Sequence, residues 1–155
     1  MTSWAGPAAL PGVVGLDHIG LAVADLEAAV VLHTEILGLV VRHRETNADQ
    51  GVVEVMLSPA PDGPDTQVQL VAALDEHSPL HRFLAHRGPG LHHLAYAVSD
   101  VRYASDILLR RGFRLLYDAP RAGTRGSLIN FVHPKDTGGV LIELVESAAQ
   151  TQGQG

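Results

Sequence analysis

The sequence predicts an α+β fold of two tandem βαβββ modules whose strands curl into one cup-shaped sheet. Three observations carry that expectation: an internal repeat, a strand–helix–strands rhythm in each copy, and a glycine closing the helix of each copy. The repeat is plainest in LDHIGLAVAD (residues 16–25) against LHHLAYAVSD (91–100). At an offset of 75, Leu16 meets Leu91, His18 meets His93, Ala22 meets Ala97, Val23 meets Val98 and Asp25 meets Asp100. Gly38 and Gly112 are 74 apart, and the offset of 74 persists where TQVQLV (66–71) aligns with VLIELV (140–145). One small indel reconciles the two halves, and repetition of this kind decides architecture before local propensity does.

The elements follow in order. Residues 1–15 read as a flexible tail, and 16–146 as one domain: module one at 16–74, a linker with a short helix at 75–90, module two at 91–146. Each module opens on an alternating strand. The aspartate ending it, Asp25 or Asp100, is placed to cap the apolar-periodic helix that follows, LEAAVVLHTEIL or VRYASDILLRR. Gly38 and Gly112 suit the left-handed residue that closes a helix. LVVRHRE, GVVEVMLS and TQVQLVAA then read as strands in module one, and RLLYDA, SLINFVHP and GVLIELVE in module two. Asp62-Gly63-Pro64-Asp65 and Pro134-Lys135-Asp136 supply turns. Residues 147–155 read as a second flexible tail.

Composition narrows the function. Hydrophobic residues make up 46% of the 155, enough for a core, and charged residues 18%. No apolar run approaches the roughly 20 residues of a membrane span, and the start lacks the basic residues of a secretory signal. The absence of cysteine excludes disulfides and thiolate chemistry and suits the cytoplasm. A formal charge of −6 argues against nucleic acid as the main partner.

The repeat places His18 and His93 at the third position of equivalent first strands, and Gln69 and Glu143 on equivalent last strands. A lone histidine in an apolar strand is more often a packed core residue than a ligand. A polar residue inside VQLV or LIELV is different, because a buried Glu or Gln without a partner is costly. Repetition of both by symmetry favours convergence on one cavity, where two imidazoles, an amide oxygen and a carboxylate form a mixed N/O set for one divalent ion. His92 is expected to face away from His93 by strand alternation, and Gln69 is preferred to Gln67 by the repeat. Glu54 in GVVEVML is a carboxylate in apolar company whichever face is inward. It is either an edge-strand residue looking at water or a desolvated acid/base near the metal.

These residues resemble the vicinal oxygen chelate superfamily, and within it the sequence is similar to the bacterial methylmalonyl-CoA epimerases. The likeness runs over about residues 16–146 and is most specific in DHIGLAV, HRETNADQGVVEVML, TQVQLV, GLHHLAY and LLYDAPRAGTRGSLINFVHPKDTGGVLIELVE. It implies metal ligation by His18, Gln69, His93 and Glu143, and acid/base roles for Glu54 and Glu143. The implied ion is Co2+ first, with Mn2+, Zn2+ or Ni2+ as alternatives. The implied substrate is methylmalonyl-CoA, interconverted between its 2R and 2S forms by removal of the C2 proton, a metal-stabilised enolate and reprotonation on the opposite face. A homodimer is expected from the edges of such cups. His33 stands where relatives commonly carry an aromatic residue.

Other readings use the same cup. An extradiol-type oxygenase would want two histidines and one carboxylate, with no Gln69. A glyoxalase-like enzyme more typically has glutamate at that position. A drug-sequestering protein needs no metal set and favours an aromatic groove, whereas three Phe, three Tyr and one Trp are spread thinly here. A related enzyme for another acyl thioester, or a non-catalytic small-molecule binder, is the alternative. Arg121, Arg125 and Lys135 could meet coenzyme A phosphates but read more simply as solvated loop charges.

Overall fold

The computed structural model describes residues 10, 12–59 and 66–151, the last two by backbone alone. The Asp62-Gly63-Pro64-Asp65 turn, most of the expected tail at 1–15 and residues 152–155 of the second tail lie outside the described residues. Module one comprises β1 (Val13–Ala22), α1 (Leu26–Val31), β2 (Val40–Asn47), β3 (Val52–Ser58) and β4 (Gln67–Ala73). After α2 (Pro79–Arg87), module two comprises β5 (Gly90–Val98), α3 (Val101–Arg110), β6 (Arg121–Ala122), β7 (Leu128–Val132) and β8 (Ile142–Glu146). Two boundaries differ from expectation. Val13, Val14 and Gly15 belong to β1 rather than to a tail, because Val13 pairs with Val98 across the sheet. Residues Ala148–Thr151 form a short helix, α4.

Both helices start as their aspartates dictate. Asp25 accepts the Ala28 N–H at 3.0 Å, and Asp100 accepts the Tyr103 N–H at 2.9 Å. Both run out before a glycine in the left-handed region, Gly38 at φ 73° and Gly112 at φ 85°. The first helix widens into a π-turn over Leu32–Ile36. Here the His33 Nδ1 and Thr34 Oγ1 side chains bond the carbonyls of Ala29 and Val30 at 2.8 and 2.9 Å, four residues back, and compete with the backbone ladder.

The strands form one sheet in the order β2-β3-β4-β1-β5-β8-β7-β6. Each module contributes half: β1 lies parallel to β4 and β5 parallel to β8, and the halves join where β1 runs antiparallel to β5. At that junction His18 pairs with Ala95, Ile19 with Leu94 and Gly20 with His93. Exchanging equivalent residues, 18 with 93 and 20 with 95, maps this register onto itself. A local twofold axis therefore passes between Ile19 and Leu94. On one face, α1 covers Val55, Leu57 and Leu70, and α3 covers Val132 and Leu144. The other face holds Val52 and Val71 in module one, and Ala95, Phe131 and Val145 in module two.

RLLYDA does not form the expected strand. It makes one bridge, Leu115 to Val132, and then bends. The fully buried Asn130 side chain replaces the ladder: its oxygen accepts the Tyr117 N–H at 3.3 Å and the Phe131 N–H at 2.8 Å. Its amide donates to the Tyr117 carbonyl at 3.1 Å and to Ser105 Oγ at 3.2 Å. At the front of the segment, Arg114 grips Asp136 through its backbone N–H and guanidinium. Asn130→Leu would leave these backbone groups without partners in the interior, so it should cost about 2–4 kcal/mol in urea unfolding. A loss below about 1 kcal/mol would show that other contacts hold the loop.

Candidate functional site

Four central strands bring the predicted residues together. In the register, Gly20 of β1 stands between Gln69 of β4 and His93 of β5, and Ala95 of β5 stands between His18 of β1 and Glu143 of β8. These are the same arrangement viewed from the two ends of the twofold. A small residue at the centre of each trio leaves the space that its neighbours' side chains need. At Gly20 the need is explicit: a Cβ there would lie 2.0 Å from His93 Cε1.

His18, His93 and Glu143 meet tip to tip. The two Nε2 atoms are 3.0 Å apart, and Glu143 Oε2 lies 3.2 Å from His18 Nε2 and 3.0 Å from His93 Nε2. All three residues are buried. Among the described residues they form the one group of three or more His, Cys, Asp or Glu side chains with ligand atoms within 4.8 Å of one another. Burial works to lower the His18 pKa, but Asp17 and Glu143 overcome it and lift the imidazole to about 9. Burial likewise works to raise Glu143, but His18 and His93 hold it at about 2.

Gln69 supplies an independent sign. Among the described residues, the buried side-chain N and O atoms left without a hydrogen-bond partner are the amide oxygens of Gln67 and Gln69. Gln69 is the one that lines the cup, and its amide donates to Glu54 Oε2 at 2.9 Å and to Thr124 Oγ1 at 3.3 Å. With the nitrogen so engaged, the oxygen is a buried acceptor with nothing to accept. An unused amide oxygen, two imidazoles and a carboxylate are compatible with a divalent cation.

Glu54 is not on an edge. β3 lies between β2 and β4, and the side chain is buried, 3% exposed, facing the cup. The Thr124 hydroxyl donates to its other oxygen. Burial pushes Glu54 up to about 7, with the Glu45 and Glu143 charges adding to the rise and Thr124 opposing it. Glu45, its direct neighbour on β2, is itself paired with His43. Glu54 breaks the internal symmetry: it faces Val71 on β4, and the equivalent Val145 on β8 faces Ile129.

The cavity in front of these groups measures about 150 Å³. Its polar lining includes Glu54, Gln69, His93, Thr124 and Glu143, and its apolar wall includes Val52, Val71, Phe131 and Leu141. His18 sits behind this lining, in contact with His93 and Glu143. Arg121 is drawn off over the Tyr117 ring at 4.2 Å, and Arg125 and Lys135 are exposed.

The glyoxalase/bleomycin resistance protein/dioxygenase superfamily model matches residues 17–131. The chain belongs to this superfamily. Its relatives narrow the likeness. Ethylmalonyl-CoA/methylmalonyl-CoA epimerase of Cereibacter sphaeroides is 37% identical over 132 residues, covering 83% of this chain and 95% of that one. The crystal structure of methylmalonyl-CoA epimerase from Mycobacterium tuberculosis is similar with a TM-score of 0.86 and 48% identity, covering 95% of this chain and 97% of that one. A methylmalonyl-CoA epimerase in complex with methylmalonyl-CoA and NH4+ is similar with a TM-score of 0.83 and 43% identity, covering 88% and 96%.

Sequence reasoning missed three parts of this superfamily cup. Thr124 reaches Glu54 and Gln69 from a loop of the other module, across 70 and 55 residues. Asp17 touches His18, and His92, expected on the far face, touches His93 and lines the cavity. The Gly20 contact yields a test. Gly20→Ala must displace the His93 ring, and such overpacking should destabilise the protein by about 1–3 kcal/mol in urea unfolding. Unchanged stability would show that the ring has room to move.

Proposed function

We propose that this chain is an epimerase that inverts C2 of methylmalonyl-CoA. The observation that carries the reading is the pair of buried carboxylates, Glu54 and Glu143, facing one small cavity from different modules beside the His18–His93 cluster. The names of the relatives support the substrate class, and the epimerase complex with methylmalonyl-CoA supports an acyl-CoA ligand. A cavity of about 150 Å³ suits a small acyl group, with the coenzyme outside it. The Cereibacter sphaeroides relative is named for ethylmalonyl-CoA as well. An extra methylene is worth only about 1–3 kcal/mol in a pocket, so a 2-ethyl substituent belongs to the same reading.

His18, Gln69, His93 and Glu143 would hold one divalent ion per chain, Co2+ first, with Mn2+, Zn2+ or Ni2+ also suited to this N/O set. Such an ion supplies a Lewis acid for substrate oxygens. The chain's own residues supply the proton transfers. Glu54, oriented by the Thr124 hydroxyl and the Gln69 amide, takes or returns the C2 proton on one side. Glu143 serves the other side, so a proton removed by one carboxylate and replaced by the other inverts the centre. The apolar wall of Val52, Val71, Phe131 and Leu141 keeps water from the carbanion face. Exposed Ile36, Leu37, Val40 and Val41 near the β2 edge support pairing of chains into a homodimer.

Exchange of the C2 proton of methylmalonyl-CoA with solvent deuterium, followed by NMR, tests the reading. Metal-loaded wild-type protein should exchange it, chelation should stop exchange, and Glu54→Gln should slow epimerisation by about 10²- to 10⁴-fold. No exchange by the metal-loaded wild type would sink the epimerase reading. Undiminished turnover in Glu54→Gln would remove Glu54 from the chemistry.

A further inference from the structure

The His18–His93 pair leaves each ring a second nitrogen, and the pairing of β1 with β5 decides what it meets. From Leu16↔Tyr96 to His18↔Ala95, β1 advances two residues while β5 advances one, so Asp17 is the extra residue. From Gly20↔His93 to Leu21↔Leu91, β5 advances two while β1 advances one, so His92 is extra. These are two β-bulges related by the internal twofold, at positions 75 apart. A bulge suspends the strict alternation of side chains and re-aims the extra residue. Each extra side chain here turns onto the histidine that follows it. Asp17 Oδ2 lies 2.7 Å from His18 Nδ1, and His92 Nδ1 lies 2.8 Å from His93 Nδ1.

A histidine that offers its Nε2 lone pair to a cation carries its proton on Nδ1 and donates from there. Asp17 is a suitable acceptor because a carboxylate only accepts. His92 accepts only if its own proton sits on Nε2. Its ring is held for this by an edge contact with Phe83, centroid to centroid 4.8 Å. We infer that Asp17 and His92 are positioning residues, placed by paired bulges to fix the tautomer and aim of His18 and His93 toward one cation. The two supports are unequal: a charged acceptor behind His18 makes it the stronger donor, and a neutral imidazole behind His93 makes it the weaker one. This rests on the metal reading of the site.

Two measurements test it. The first is Co2+ affinity by competition with a chromophoric chelator, with folding checked by circular dichroism. Asp17→Ala should weaken binding by about 10- to 100-fold and Asp17→Asn by less. His92→Phe should weaken it by a smaller factor than Asp17→Ala, and His92→Asn, which restores an acceptor, should recover most of that loss. The second needs no variant. Long-range ¹H–¹⁵N NMR of the Zn2+-loaded wild type should show Nδ1–H tautomers for His18 and His93 and the Nε2–H tautomer for His92. Affinities within about twofold of wild type in all four variants would overturn the positioning role. A proton on His92 Nδ1 would overturn the support of His93, and a larger loss in His92→Phe than in Asp17→Ala would overturn the inequality. Wild-type protein that binds neither ion would remove the metal reading, and this inference with it.

Discussion

The antiparallel pairing of β1 with β5 is the constraint on which the site depends. Among the described residues it is the one strand pairing that joins the two half-sheets, and its register sets His18 and His93 side by side. A slip of one residue would turn one histidine to the helix-covered face and separate the pair. The packing of α1 and α3 on that face resists the slip, because it would expose Val55, Leu57 and Leu70 or Val132 and Leu144. The apolar cores of the two modules thus hold in place a polar cluster that contributes little to stability by itself.

Duplication explains two imidazoles on a twofold axis, and departures from the duplication explain the chemistry. Gln69 answers Glu143, so one side of the cluster is charged and the other is not. Glu54 answers Ile129, so the cavity lining gains its second carboxylate from module one. The two acids are driven apart by their surroundings: burial lifts Glu54 to about 7, and the histidines hold Glu143 at about 2. Two titratable groups separated in this way can take different parts in one proton transfer. Asp17 against His92 and Gly20 against Ala95 are the same kind of departure, expressed in the support of the cluster.

Much of this was legible before any coordinates. The repeat identifies the modules, the capped helices and the His18–His93 pair, because equivalent positions of strands that pair across a twofold axis come together. Three features were not legible, for physical reasons. The path of residues 114–119 turns on Asn130, whose side chain replaces a strand partner in a way no periodicity reveals. Thr124 enters the site through a loop whose course depends on tertiary packing. The bulges at Asp17 and His92 are properties of a strand pair, not of either strand, so alternation read along LHHLAY sends His92 to the wrong side. The repeat prefers Gln69 to Gln67, and in the structure Gln69 is the one that lines the cup and is joined to Glu54.

Anomalous diffraction from crystals of cobalt-loaded protein, recorded on both sides of the cobalt absorption edge, tests the central claim most directly. The account predicts one cobalt peak per chain, about 2.0–2.3 Å from His18 Nε2, His93 Nε2 and a Glu143 oxygen, with the Gln69 amide oxygen turned toward it. A peak elsewhere, or none while the two histidines keep their contact with Glu143, would contradict it.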